Sequence, residues 1–246
     1  MAIHDFTSER LYVDVPLATG AAVSCTPEQF NYLVNVLRMT PGSALLVFNG
    51  RDGEWRATLD QTGKRTVVLR VDAQTRPQTD GPDVDYLFAP LKHARLDYMV
   101  QKATEMGVRR LRPVITRRTI AERVNLERMR SNSIEAAEQC GVLRVPVVVE
   151  PQKLSAVLDQ WDAARTLIFC YEGAEVASPL AALREVPAGP LAVLVGPEGG
   201  FADEEREQIR SRTFVTTISL GPRVLRADTA AVAALAIVNA VLVDWR

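Results

Sequence analysis

Two glycine-bearing loops near the end of the 246-residue chain carry the side chains best suited to chemistry. They are Gly196-Pro197-Glu198-Gly199-Gly200 and Gly221-Pro222-Arg223-Val224-Leu225-Arg226-Ala227-Asp228-Thr229. Arg223 and Arg226 stay charged at any physiological pH and present planar donor forks that fit a carboxylate, a phosphate or a base oxygen. Asp228 is either a helix cap, the ordinary use of Asp before a helical run, or an acid set beside those arginines. The glycines permit positive φ and close approach of backbone to a ligand. The first loop has neither the Gly-Lys-Ser/Thr ending of a phosphate loop nor the spacing of a dinucleotide fingerprint. Asp203 reads as the cap of the next helix, with Glu204 and Glu205 in its first turn, where acids meet the helix dipole favourably. That structural role suffices for all three and disfavours a phosphate there. Glu198 is the residue that helix chemistry leaves unexplained.

The elements around the loops decide what they face. Leu191–Val195 and Val215–Leu220 are apolar runs that read as buried strands, each feeding one loop and then a helix. Two strand–loop–helix units place both loops at the carboxyl edge of a sheet, where open α/β sheets bind ligands. Upstream, Val84–Ala89, Leu111–Ile115, Val147–Val149 and Leu167–Cys170 read as further strands. Leu96, Met99, Val100 and Ala103 form a helical stripe ending at Gly107, Leu126–Cys140 is helical, and a last helix starts at Thr229. Such alternation predicts a mainly parallel sheet covered on both faces.

Residues 1–75 follow another pattern. Thr26-Pro27-Glu28-Gln29 is a helix start, with Thr26 as N-cap, Pro27 at the first position and Gln29 closing a capping box. Phe30, Leu33, Val34 and Leu37 share one helical face. After Pro41-Gly42 the period becomes two, giving strands at Ala44–Phe48, Glu54–Leu59 and Thr66–Val71, joined by turns at Gly50–Gly53 and Thr62–Lys64. This is a small barrel-like β domain, with Arg76–Asp83 as linker to a second domain filling 76–246.

Composition is ordinary for a globular protein, 47% apolar and 24% charged, and a net charge of −1 means any nucleic-acid surface is local. Three scattered cysteines and two histidines predict free thiols in a reducing cytosol and no metal site. Met1–Arg10 does not read as a signal peptide. The apolar Ala230–Val243, interrupted by Asn239, is short for a membrane span; it predicts a helix buried on most sides, in the core or against a second copy of the chain. Arg109, Arg110, Arg112, Arg117, Arg118, Arg123, Arg128 and Arg130 are countered nearby only by Glu122 and Glu127. They form either a solvated, ion-paired face or a local patch for a phosphate backbone. Lys92, His93 and Arg95 follow the first strand of the second domain, and Arg10, Arg38 and Arg51 are basic groups of the first.

Leu194–Phe201 followed by Leu220–Arg226 resembles the signature of the RsmE uracil-N3 methyltransferases of small-subunit (16S) ribosomal RNA, within the SPOUT superfamily. Val36-Leu37-Arg38 with Pro41-Gly42, Lys92 with Gln101–Val108, and Ala137–Gly141 with Arg144-Val145-Pro146 extend the resemblance over most of the chain. It implies an α/β fold: an N-terminal PUA-like RNA-binding β-barrel and a C-terminal domain tied in a deep trefoil knot. It also implies S-adenosyl-L-methionine as cofactor, a homodimer, a cytoplasmic location, and small-subunit RNA or the assembled small subunit as substrate. Carried over, Gly196, Pro197, Glu198, Gly199, Leu220, Gly221, Arg223, Leu225 and Thr229 bind the cofactor. Arg10, Arg38, Lys92 and Arg117 contact RNA. Arg226, Arg223 and Asp228 are the catalytic candidates. Departures from the family pattern are Ala227-Asp228-Thr229 in place of Thr-Glu-Thr, Asn35 and Val142 in place of basic residues, and Arg118 in place of a neutral or acidic one.

The reaction needs the sulfonium methyl in line with uracil N3, a base or anion-stabilising setting for the N3 proton, and donors for the charge spreading to the flanking carbonyls. The N3 edge is occupied in a base pair, so unpaired RNA is expected. Two rival readings are a SPOUT methyltransferase with another RNA target and a non-catalytic RNA-binding protein.

Overall fold

The shift of hydrophobic period at Pro41-Gly42 marks a real change of structure. The protein, seen as a computed structural model, is described over residues 5, 7–61, 64–120, 123–174 and 178–245. Thr62 and Gly63 of the expected turn, Glu122 of the arginine-rich stretch and residues 1–4 and 6 of the N-terminal segment lie outside the described residues. The chain divides into two compact units: residues 1–80 with 137–145, and residues 81–136 with 146–246.

In the first unit β1 (Arg10–Tyr12), β2 (Ala22–Ser24), β3 (Ala44–Phe48), β4 (Glu54–Gln61) and β5 (Val67–Arg76) form one sheet in the order β1-β3-β4-β5-β2. Register shifts at Glu54/Trp55 and Arg56/Ala57 bend the β4–β5 pair, which curls the sheet around its apolar face. α1 (Pro27–Phe30) begins as the sequence predicts. The Thr26 hydroxyl accepts the Gln29 N–H at 3.2 Å, and the Gln29 side chain accepts the Thr26 N–H at 2.9 Å. It then widens into a π-helix over Asn31–Val36, closed by the Leu37 N–H on the Tyr32 carbonyl at 2.9 Å, with Leu33 wholly buried.

The short strands β1 and β2 escaped the sequence reading, since three residues are too few to show a period. β5 also runs longer than expected. Arg76 is not the start of a linker: its guanidinium is buried against Glu54 at 2.6 Å, and Arg10 reaches the same carboxylate at 3.0 Å. Residues 137–145, distant in sequence, complete this unit. Tyr12 N–H donates to the Glu138 carboxylate at 2.8 Å, Arg76 donates to the Gly141 carbonyl at 3.0 Å, and Ala137 and Leu143 pack with Phe48.

The second unit holds β6 (Val84–Phe88), α2 (His93–Glu105), β7 (Arg110–Ile115), α3 (Leu126–Cys140, its last residues belonging to the first unit), β8 (Val147–Val148) and β9 (Gln152–Lys153). Then come α4 (Leu154–Asp159), β10 (Thr166–Cys170), α5 (Pro179–Arg184), β11 (Leu191–Val195), α6 (Asp203–Arg210), β12 (Val215–Ile218) and α7 (Ala227–Leu242). The sheet order is β12-β10-β11-β6-β7-β8, parallel throughout, with β9 pairing β7.

Alternate residues of the central strands enter two separate cores. Tyr86, Phe88, Ile168, Val193 and Val195 pack with Met99 of α2, Met129 of α3, Leu183 of α5 and the Ala230–Val238 face of α7. Leu87, Leu167, Phe169, Ala192 and Leu194 pack with Leu154 and Leu158 of α4 and Ile209 of α6. Each large aliphatic side chain so buried stabilises the fold by about 1.5–3 kcal/mol. This is why β11 reads as an unbroken apolar run rather than an alternating one.

Candidate active site

Because β10 lies between β11 and β12, the carboxyl end of β10 separates the two glycine loops. Together they line a pocket: Cys170, Tyr171 and Glu172 after β10; Val195, Gly196, Pro197, Gly200 and Phe201 after β11; and Leu220, Gly221, Arg223, Val224, Leu225, Ala227 and Ala230. Of the expected cofactor residues, Gly196, Pro197, Leu220, Gly221, Arg223 and Leu225 form this wall. Glu198, Gly199 and Thr229 do not. The sequence reading missed Cys170, Tyr171 and Glu172, whose only local signal was a strand ending in polar residues, and held Phe201 only as the end of the Leu194–Phe201 motif.

The first loop is fastened from several directions. Val195 carbonyl accepts the Ala89 N–H at 3.3 Å, and the loop turns on the Gly200 N–H to the Pro197 carbonyl at 2.8 Å, with Gly200 at φ +68°. A Cβ on Gly196 would collide with the Phe201 ring, which is buried edge-on against Phe169 at 5.2 Å. Gly196 is therefore glycine to admit an aromatic ring, and not only to approach a ligand. Glu198 is ion-paired with Arg95, and the Gly199 carbonyl accepts from Arg118 at 2.8 Å. Glu198 thus gains the explanation that helix chemistry could not provide.

Asp203 is not the helix cap. The N-cap position belongs to Ala202, which has no side-chain acceptor, and Asp203 is the first helical residue, paired with Arg206. Glu205, one turn in, does the capping: its carboxylate accepts the Ala202 N–H at 3.0 Å and the Arg117 N–H at 2.8 Å. The second loop differs in the same sense. α7 begins at Ala227 rather than Thr229, so Arg226 holds the N-cap position and Asp228 is already helical, its carboxylate accepting the Thr229 N–H at 2.8 Å. Arg226 and Thr229 are exposed and Asp228 half-buried.

The pocket is chemically mixed and narrow. Val195, Pro197, Phe201, Leu220, Leu225 and the two alanines give it apolar walls, while Glu172 and Arg223 add one charge of each sign. Among the described residues no hydrogen bond engages the backbone of Leu225, which leaves a donor and an acceptor for a ligand. Burial pushes the Cys170 thiol up to about 12, so it serves as apolar wall. The enclosed space is about 80 Å³, against roughly 300–1,000 Å³ for common ligand clefts. Room lies toward the mouth, where Gly221 (φ +103°) has no atom within 4 Å of a Cβ position and Val224 is 86% exposed. Apolar walls for a purine and a thioether-like chain, an acid for cationic groups, a guanidinium for a carboxylate and the free Leu225 backbone fit S-adenosylmethionine.

The arginine-rich stretch resolves mainly into ion pairs. Arg109 meets Asp83 at 3.1 Å, Arg110 and Arg112 share buried Asp85 at 2.7 and 3.2 Å, Arg117 meets Glu204 at 2.9 Å, and Arg128 meets Asp97 at 2.6 Å. The counter-charges come from other strands and helices, where nearby sequence offers few. Of the expected RNA contacts, Arg10 is corrected: it is buried with Glu54 and holds the first unit together. Arg117 is engaged with Glu204. Lys92, at the N-cap position of α2, and Arg38, at φ 55°, are exposed.

A parallel α/β sheet with a ligand pocket at its carboxyl edge, preceded in the chain by a curled β unit, is the architecture that the family matches identify as an RNA methyltransferase. Residues 79–239 match the RNA methyltransferase domain family and residues 26–72 the RNA methyltransferase PUA domain family. Two similar proteins carry the name ribosomal RNA small subunit methyltransferase E. That of Rickettsia conorii is 30% identical over 92% of this chain and 93% of its own, and that of Synechocystis sp. 32% identical over 95% and 78%. The enzyme of that name from Neisseria gonorrhoeae, solved bound to S-adenosyl methionine, superposes with a TM-score of 0.86 at 26% identity, covering 97% of this chain and all of the other. A Legionella pneumophila methyltransferase structure with the same cofactor gives 0.83 at 29% identity, over 95% and 97%. The chain belongs to the RsmE family of these methyltransferases.

Proposed function

We propose that this protein transfers a methyl group from S-adenosyl-L-methionine to N3 of a uracil in small-subunit (16S) ribosomal RNA. The observation that carries the reading is the pocket formed by both family loops together with the end of β10. When bound, the cofactor supplies an electrophilic methyl on a sulfonium. The S–CH₃ bond breaks as the N3–CH₃ bond forms, the N3 proton leaves to a base, and a neutral thioether remains. Arg223, in the pocket wall, holds the cofactor's carboxylate. Arg226, exposed beside it, donates to the uracil carbonyl oxygen that gains charge; fixed donors of this kind are worth about 2.7–4 kcal/mol where measured. Asp228, half-buried in the first turn of α7, takes the proton in this reading. Arg95, Arg118 and Glu205 hold the loop containing Gly196–Gly200 in place. Lys92 and Arg38 serve RNA.

The homodimer, the knot and the cytoplasmic location belong to the same reading. Intermediate exposure of Val232, Ala233, Ala236 and Ile237 on α7 supports a partner copy there. The path out to edge strand β12 and back through α7 onto β11 supports a threaded C-terminus. Among the described residues no helix is long and apolar enough to cross a membrane. The test is transfer of labelled methyl from the cofactor to unmodified small subunits and to the naked RNA, with mass spectrometry of the product nucleoside. Label in 3-methyluridine supports the reading, and label confined to any other nucleoside overturns it.

A further inference from the structure

Among the described residues Glu172 is the single carboxylate in the pocket wall, and neither family loop contains it. It follows β10, so it stands between the loop after β11 and the loop after β12. Its Oε1 lies 3.3 Å from where a Cβ on Gly200 would be, which places the acid directly against the first loop. Among the described residues it has no ion pair, although Arg223 lines the same cavity. Both are exposed, so two opposite charges face the same pocket without pairing with each other. That arrangement suits a ligand that brings both signs.

Resting on the cofactor reading above, we propose that Glu172 faces the sulfonium and sets the preference for the charged cofactor over its neutral product. The reasoning follows from charge. Cofactor and product share purine, ribose, ammonium and carboxylate, and differ in one methyl and one positive charge at sulfur. With the carboxylate end drawn to Arg223 of the loop after β12, the ammonium beside it shares that neighbourhood, and the sulfonium is the cation left for the acid that follows β10. A carboxylate close to a cation strengthens the charged ligand's binding and does nothing comparable for a thioether. Specificity of this kind is a difference of two affinities. It also bears on turnover, because loss of charge at sulfur during transfer releases the product from the attraction that held the cofactor. The same logic assigns Glu172 to ground-state binding, so its removal raises KM without lowering kcat.

The experiment is calorimetric titration of the wild-type protein and Glu172→Gln with S-adenosylmethionine and with S-adenosylhomocysteine, alongside steady-state kinetics. Glu204→Gln, an exposed acid outside this pocket, serves as control. Glu172→Gln is expected to weaken cofactor binding about tenfold, to shift product binding by less than twofold, and to raise KM while kcat holds. Equal weakening of both ligands would assign Glu172 to the shared ribose or amino-acid part and overturn the inference, as would unchanged binding of both. Failure of the wild-type protein to bind either ligand would instead overturn the cofactor reading beneath it.

Discussion

Glu205 accepts the backbone N–H of Arg117 at 2.8 Å, tying the start of α6 to the segment that leaves β7. Its other oxygen takes the Ala202 N–H at 3.0 Å, so one nearly buried carboxylate satisfies two donors at the exit of the first glycine loop. Glu205→Ala strips both. Each unsatisfied donor costs about 1–3 kcal/mol, so the urea midpoint falls clearly. Glu205→Gln keeps one acceptor oxygen and loses less. A midpoint unchanged in both variants would show that the loop is held by other contacts.

Gly196→Ala forces the Phe201 ring out of its place against Phe169. Overpacking of this type costs about 1–3 kcal/mol, and here the displaced ring is also pocket wall. Chemical denaturation should report lower stability together with weaker cofactor binding. Gly221→Ala meets no atom, but its φ of +103° strains any side-chain-bearing residue.

Arg223 and Arg226 are expected to separate in their effects. Arg223→Ala, in the wall, lowers cofactor affinity. Arg226→Ala, outside the wall, abolishes turnover with affinity held within a few-fold. Calorimetry combined with single-turnover rates distinguishes them. Collapse of cofactor binding in Arg226→Ala would move that residue into the cofactor site. Asp228→Asn should slow transfer with little change in stability, and undiminished rates would leave Asp228 as a helix residue alone.

The first unit carries its own pH dependence. Burial raises the pKa of Glu54, but hydrogen bonds from Arg76, Thr75 and Arg10 outweigh it, so the group sits below its ordinary 4.5. A depressed carboxylate contributes stability that is complete above the unfolded value and is lost as pH falls through the folded one. Stability should therefore hold near neutrality and decline as pH drops below about 4.5. Glu54→Gln leaves Arg10 and Arg76 buried without their counter-charge and costs about 3–5 kcal/mol at neutral pH. It should also flatten the acid limb of a denaturation-against-pH series.

Much of this was legible locally. The Thr26–Gln29 capping box, β11 and α3 fall where the sequence puts them, because caps and hydrophobic periods are encoded within a few residues. The starts of α6 and α7 were misplaced by one or two residues, since Asp203 and Asp228 are good caps that the chain uses as first-turn acids. The arginines from 109 to 130 could be read either as an ion-paired face or as a patch, because their partners Asp83, Asp85, Asp97 and Glu204 lie outside that stretch of sequence.

The sequence by itself determined the two glycine loops, the strands that feed them and the family to which their motifs belong. The tertiary structure decided what stands between those loops. Consecutive in the chain, β11 and β12 are not neighbours in the sheet: β10 separates them and brings Cys170, Tyr171 and Glu172 into the pocket. Strand order arises from how two apolar cores pack on opposite faces of the sheet, a property of contacts far apart in sequence. No local pattern records it.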